Sequence, residues 1–282
     1  MNELNDNLLP HLGFRKYAPC KQLLDYVDCY WFINAESNSG EGYKEYLHPD
    51  GGVSVIFNYG QDLYFGNNLT PDGPFIDGAN TQSVCLKLTG KISAVGIRFK
   101  PAGAYAFFSI PLHELKNQVF SCADINKQMF SRLYDLIPVL ANDLACIRKI
   151  DKTLYSLLSV DRQVSAIIKG SISIMKRHKG ALPIRKLASS IGIDQRQLER
   201  ICRSQIGITP VELSRTERIS QARLLIKNTD GSLSNIAYDL GFYDQSHFVN
   251  QFKWVVGITP GEYRRIVMGK KALRLSTSVA TT

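Results

Sequence analysis

The sequence predicts an α+β chain of two domains. The first is a mainly antiparallel β-sheet or barrel-like domain with following helices. The second is an all-α domain of two helix-turn-helix subdomains joined by a linker helix. Three observations carry this. Gly-Ile-Thr-Pro occurs at 207–210 and again at 257–260, with a matching hydrophobic pattern upstream of each copy. Short β-branched and aromatic runs fill the first 110 residues, whereas helical periodicity fills the rest. Charge is divided unevenly: residues 1–160 hold 14 Lys/Arg and 16 Asp/Glu, net −2, and residues 161–282 hold 20 and 9, net +11, together the +9 of the whole chain.

In the first domain, Val53-Ser54-Val55-Ile56-Phe57 is a strand entered through the turn His48-Pro49-Asp50-Gly51-Gly52. Leu63–Phe65, Val84–Leu88 and Ala94–Phe99 are further strands, separated by clusters such as Asn67–Gly73. Short strands at this spacing favour an antiparallel sheet or barrel over a bundle. The pattern changes near Pro101–Phe108 and reads as helical from Pro111 to Leu158. Helices over Asn126–Leu140 and Asn142–Leu158 pack on the sheet or lead out of it. No Pro/Gly/Ser-rich linker follows, so the domain is set at 1–158 by the charge shift and the pattern beyond it.

Asp161 then begins a helix with an apolar stripe at Val164, Ile167, Ile168, Ile172 and Met175. Lys176-Arg177-His178-Lys179-Gly180 ends it with basic residues and a C-cap glycine. Two helix-turn-helix units follow, over 184–205 and 233–255. Helices 184–191 and 194–205 flank Gly192-Ile193, and helices 233–239 and 243–255 flank a turn at 240–242. A linker helix over 210–227 joins the units, and a last helix runs from 260 to about 267. Gly207 and Gly257 suit the left-handed position past a helix C-terminus. Thr209 and Thr259 are N-caps, with Pro210 and Pro260 at the first helical position. Glu212 and Glu262 stand three residues after each Thr and complete two capping boxes. Leu187-Ala188 and Gly192 recur as Ile236-Ala237 and Gly241, so the scaffold is duplicated. Residues 159–268 form this domain, and 269–282, which lack periodicity, form a flexible tail.

A near-neutral half joined to a strongly basic half is the electrostatic footprint of a nucleic-acid-binding module attached to something else. The first residues, MNELNDNLLPHLGF, have no basic start followed by an apolar run, so no signal peptide is expected. No window approaches the roughly 20 apolar residues of a membrane span. The cysteines Cys20, Cys29, Cys85, Cys122, Cys146 and Cys202 are scattered, without a CxxC pair or zinc spacing to His. They read as buried thiols of a reducing cytoplasm, with no metal site and no cofactor.

In a helix-turn-helix the second helix enters the major groove and its outward residues meet base edges. On 194–205 the inward positions are Leu198, Ile201 and Cys202, which leaves Arg196, Glu199, Arg200 and Arg203 outside. Arg reads guanine O6/N7 in bidentate fashion. Glu199 either accepts from cytosine N4 or orients Arg196 or Arg203 by pairing one turn away. On 243–255, Phe248 and Phe252 anchor the core. Gln245, Ser246, His247 and Asn250 face outward, with Lys253 nearer the phosphates. Gln and Asn suit adenine N6/N7.

Residues 160–268 resemble the DNA-binding domain of the AraC/XylS family of bacterial transcription regulators. The resemblance rests on Leu187-Ala188, Gly192, Leu198, Arg200, Gly207 and Pro210. It rests further on Ile236-Ala237, Gly241-Phe242, Ser246, Phe248, Phe252-Lys253, Gly257, Pro260 and Tyr263-Arg264. It implies two subdomains on a long helix entering successive major grooves on one DNA face. The base-reading positions would be Arg196, Glu199, Arg200, Gln245, Ser246, His247 and Asn250. Cys202 departs from the family's usual aromatic, and Asn250 from its frequent Arg. The first half resembles a sensor domain of some members through Tyr26–Trp31, His48–Gly52 and Val95–Pro101. The resemblance implies double-stranded DNA and RNA polymerase as partners, with effector binding or homodimer formation by the first domain.

For Trp31, Tyr59 and Phe99 a core role is favoured over a ligand cage. His48 reads as a turn residue rather than a base, and Arg98 either pairs with a buried carboxylate or binds an anion. The function expected is a cytoplasmic, effector-responsive transcriptional regulator, an activator among the options, without enzymatic activity. Two alternatives stand beside it: a DNA-repair-type enzyme with a reactive cysteine, and a non-specific architectural DNA-binding protein.

Overall fold

A computed structural model describes residues 9–37, 42–158 and 162–279; for 125–129 and 270–279 it describes the backbone only. The residues expected to lack a signal peptide (1–8) and Asp161 lie outside this set, as do 280–282 of the expected tail. Among the described residues, ten strands form two antiparallel sheets. The six-stranded sheet has the order β1 (Arg15–Tyr17), β2 (Val27–Ser37), β9 (Gly90–Phe99), β4 (Ser54–Asn58), β7 (Pro74–Asp77) and β10 (Val119–Ser121). The four-stranded sheet runs β3 (Tyr43–Leu47), β8 (Val84–Leu88), β5 (Leu63–Phe65), β6 (Asn68–Leu69).

The period of two along each strand divides the large sheet into two faces. Tyr30, Phe32, Val55, Phe57, Val95, Ile97 and Phe99 point to the side covered by helices. Ile33, Ile56, Phe75 and Ala94 point to the small sheet and pack with Leu63, Phe65 and Leu88. The helical side carries α1 (Ala123–Leu136) and α2 (Asp143–Leu157), with Asn142 capping α2 through a bond from the Ala145 N–H. The stretch from Pro111 to Leu158 is therefore not helical throughout: β10 interrupts it, because Val119–Ser121 pairs along β7.

The C-terminal half is built from α3 (Ala166–Arg177), α4 (Ile184–Ser190), α5 (Gln195–Gln205), α6 (Pro210–Asn228), α7 (Leu233–Asp239), α8 (Gln245–Val256) and α9 (Pro260–Val279). Helix α3 starts later than Asp161 because the Ser165 side chain caps it, accepting from the Ile168 N–H. Helix α9 continues past 267 to Val279, through the segment read as a flexible tail. After Gly269 that segment reads Lys-Lys-Ala-Leu-Arg-Leu, all good helix formers with no proline to stop them.

The cores do not follow the two halves. One continuous cluster runs from the large sheet through Leu112, Leu115, Phe130 and Ile147 into Leu187, Leu198, Cys202, Ile206 and Leu213 of the first helix-turn-helix unit. The second unit has its own cluster, centred on Ile236, Phe242, Phe248, Phe252 and Val255.

Candidate nucleic-acid interface

Each unit is assembled by the same local chemistry. Gly192 and Gly241 occupy the left-handed region (φ 76° and 67°), which lets α4 turn into α5 and α7 into α8. The second helix of each pair is capped by an aspartate: Asp194 accepts from the Gln197 N–H at 2.7 Å, and Asp244 from the His247 N–H at 2.6 Å. Gly207 and Gly257 are left-handed at φ 98° and 91°. Both capping boxes form, with Thr209–Glu212 and Thr259–Glu262 each bonded in both directions.

On α5, Leu198 and Cys202 are fully buried, while Arg196, Arg200 and Arg203 are exposed. Glu199 pairs with Arg203 at 2.9 Å, one turn on. Of the two roles open to Glu199, the free chain displays the pairing, which holds the Arg203 guanidinium along the helix surface. On α8, Phe248 and Phe252 are fully buried and Gln245, Ser246, Asn250 and Lys253 are exposed. Gln245 is additionally held by the Ser234 hydroxyl at 3.1 Å. His247 differs from the expectation. It sits on the flank shared with Gln251, its ring packs edge-on to Phe242 at 5.7 Å, and its Nδ1 is buried. A residue one position before an inward anchor is only about 100° from it around the helix, so it is drawn toward the linker helix.

Helix α6 joins the heads. Its 19 residues span about 28 Å at 1.5 Å per residue. Arg215 stacks on the Trp254 ring at 4.6 Å and Arg218 on Phe242 at 5.2 Å, which ties α6 to the second unit. Arg218 also donates twice to the Gly180 carbonyl.

No local signal in the sequence marks the side chains that join the first domain to the second recognition helix. The last carbonyls of any helix lack an internal partner. Here Gln82 Nε2 donates to Trp254 O at 2.9 Å, and Ser83 donates to Val255 O from both N (2.7 Å) and Oγ (2.9 Å). The β-domain thus caps α8 from outside. His48 Nδ1 lies 2.7 Å from Ser83 Oγ, and its ring meets Tyr263 edge-on. His48 is more than a turn residue: burial, and then the Arg223 charge, lower its pKa to about 3, which keeps the ring neutral.

Among the other expected residues, Phe99 is core and Tyr59 stacks on Tyr134 at 4.8 Å. Trp31 is part of a cavity wall instead of a closed core. Arg98 pairs with Asp50, an exposed carboxylate and not the buried one expected, and donates to Ser54 Oγ at 2.9 Å. Burial raises the thiols of Cys29 and Cys202 to about 12, and also raises Cys20, Cys122 and Cys146. A nucleophilic cysteine needs the opposite shift, so these five thiols lend no support to a cysteine enzyme.

Two capped recognition helices on one linker helix, attached to a β-domain, define a double helix-turn-helix protein. Residues 187–266 match the helix-turn-helix domain family, and residues 15–121 match a domain of unknown function (DUF6597). Over 79 residues the chain is 39% identical to the transcriptional activator RhaS of Mannheimia succiniciproducens, covering 28% of this chain and 30% of that one. It is 32% identical over 81 residues to the arabinose operon regulatory protein of Escherichia coli, covering 29% and 28%. The chain thus spans about a third of the length of such relatives. The solved structure of ToxT from Vibrio cholerae aligns over 83% of this chain and 97% of its own, at 15% identity and a TM-score of 0.45. The C-terminal domain belongs to the AraC/XylS type of helix-turn-helix domain. Among the described residues, no helix is long and apolar enough to cross a membrane.

Proposed function

We propose that this protein is a sequence-specific DNA-binding transcriptional regulator. The observation that carries it is the pair of capped recognition helices on a strongly basic half. Each has its apolar anchors buried and a polar set open to solvent: Arg196, Arg200 and Arg203 on α5, and Gln245, Ser246, Asn250 and Lys253 on α8. Arginine favours guanine and Gln/Asn favour adenine, so the two heads read different half-sites. The linker helix between them, about 28 Å long, is of the order of the roughly 34 Å that separates adjacent major grooves. The β-domain supplies effector binding or dimer formation, and RNA polymerase is the partner through which DNA binding acts.

The test is selection from random duplexes. A bipartite site with half-sites about one helical turn apart is expected, with affinity falling steeply and log-linearly as salt rises. Arg196→Ala should relax preference at one base pair of one half-site, and Gln245→Ala at one of the other, by about 1–3 kcal/mol each. Equal affinity for random and selected duplexes would make the protein an architectural binder and end this reading.

A further inference from the structure

The face of the large sheet turned away from the helices is not filled. It and the small sheet line a cavity of about 260 Å3, just below the range of about 300–1,000 Å3 for drug-sized ligands and so suited to a smaller molecule. The body of the cavity is apolar, walled by Trp31, Ile33, Ile56, Phe65 and Leu88. Trp31 pairs across the sheet with Gly96, and a Cβ at Gly96 would lie 2.0 Å from the indole. The missing side chain therefore makes room for the ring to lie on the sheet as part of the cavity wall.

One end of the cavity is polar, and its composition follows from register. Arg98, Ser54 and Asp77 are direct neighbours across β9, β4 and β7, so their side chains emerge in one row on the cavity face. The Arg98 guanidinium is already engaged by Asp50 and Ser54. Asp77, only 4% exposed, receives one bond, from Asn80 Nδ2 to Oδ1 at 2.8 Å. Among the described residues no donor meets Oδ2, and Asp77 lines the cavity. Asp50 and Asp77 outnumber the single arginine at this end, while Glu45, also in the lining, is paired with His11 at 3.1 Å and His48 is bonded to Ser83. A buried carboxylate with a free oxygen selects a donor, preferably a charged one. Burial raises the Asp77 carboxyl to about 6, against the opposing pull of Arg98, as expected where its anion lacks a full counter-charge.

We propose that the cavity between the two sheets binds a small amphipathic amine, with its apolar body against Trp31 and Phe65 and its ammonium on Asp77 Oδ2. A carboxylate head would face two acids and an arginine already paired, and an alcohol would leave the charge of Asp77 unmet. The proposal rests on the effector-binding half of the regulator reading and names the class of effector.

The experiment is calorimetric titration of the full chain, without DNA, with 2-phenylethylamine, 2-phenylethanol and phenylacetate. Trp31 emission is followed in a Trp254→Phe background. The amine should bind tighter than both others by about tenfold or more, the scale of one charge-assisted hydrogen bond. Asp77→Asn should remove that preference, and Ala94→Phe, which fills the cavity, should abolish binding of all three. Tighter binding of the carboxylate or the alcohol overturns the proposal, as does binding by none of them. Amine binding that survives both substitutions places the ligand elsewhere and overturns it too. Because no DNA is present, the outcome is separable from the regulator reading. Sequence-selective DNA binding without amine binding sinks the cavity alone, and amine binding without sequence selectivity sinks the regulator alone.

Discussion

The two helix-turn-helix units share a scaffold but are held in opposite ways. In the first, the anchors on the recognition helix are Leu198 and Cys202; fifty residues on, the second has Phe248 and Phe252. The smaller pair does not close a core unaided. The turn at 112–115 packs against α5, and a Cβ on Gly207 would lie 2.8 Å from the Leu112 carbonyl. The phenylalanine pair, with Phe242 and Tyr263 stacked on it, closes a core of its own. The second unit meets the β-domain chiefly through polar contacts, those of Gln82, Ser83 and His48. One head is therefore built into the β-domain, while the other has a core of its own and is fastened to it. Loss of these polar contacts would remove no member of either hydrophobic cluster.

The largest effects should separate the two cores. Phe252→Ala removes a fully buried ring and should cost about 3–5 kcal/mol. Because its cluster is separate, hydrogen exchange should speed up in α7 and α8 while β2 and β9 stay protected. Leu112→Ala, at about 2–5 kcal/mol, should instead loosen α5 and the sheet together. If Phe252→Ala exposes the sheet as much as Leu112→Ala does, the two-core comparison is broken.

Next in size is the fastening of the second head. Ser83→Ala keeps the backbone bond to Val255 O and removes the Oγ bonds to Val255 O and His48 Nδ1, each worth about 1 kcal/mol. Exchange at the C-terminal turn of α8 should rise, with α5 unchanged. The same contact should respond to acid. His48 has its folded-state pKa pushed from 6.5 down to about 3, with Ser83, Tyr263 and Arg223 facing the ring. A base depressed in the folded state takes up more protons when released. Its stabilisation is complete above pH 6.5 and is lost as pH falls toward 3, by up to about 1.4 kcal/mol per pH unit. Acidification from pH 7 to 5 should release α8 before α5; the reverse order would assign the pH response to another group.

What the sequence made legible, and what it hid, divides along the same line. Duplicated glycines, capped threonines and one-sided apolar stripes are local signals, and they located α4 to α8 within a residue or two. Strands β1, β2, β3, β6, β7 and β10 went unread; for those of two to four residues, such as Pro74–Asp77, pairing and not local pattern decides. Glu199 could be narrowed to two roles because an i,i+4 partner is visible in the sequence. Ser83 could not be found: a serine 172 residues from the carbonyl it caps carries no local signature. The partial burial of His247 was hidden for a related reason, since a polar residue on a flank faces outward only if the neighbouring helix leaves room. The cavity was hidden too, because Arg98, Ser54 and Asp77 become neighbours only through register.

The smallest expected effect tests how firmly the first head is joined. Lys116, just beyond the turn at 112–115, reaches Glu212 at 2.6 Å, and Glu212 is also the capping-box residue of α6. Burial pushes the Glu212 carboxyl up, but bonds from Lys116 and Thr209 outweigh it and hold the pKa below 4.5. For an acid so lowered, the stabilisation is present above the ordinary value and disappears as pH falls through the folded-state one. Lys116→Met should therefore cost a few tenths to about 1 kcal/mol at pH 7, since both partners are part-exposed. The difference between wild type and variant should vanish in acid, once Glu212 is protonated. Because apolar packing of the 112–115 turn holds this joint, α5 should keep its hydrogen-exchange protection in the variant. Loss of that protection would mean that the first head, like the second, is fastened by polar contacts, and the asymmetry between them would disappear.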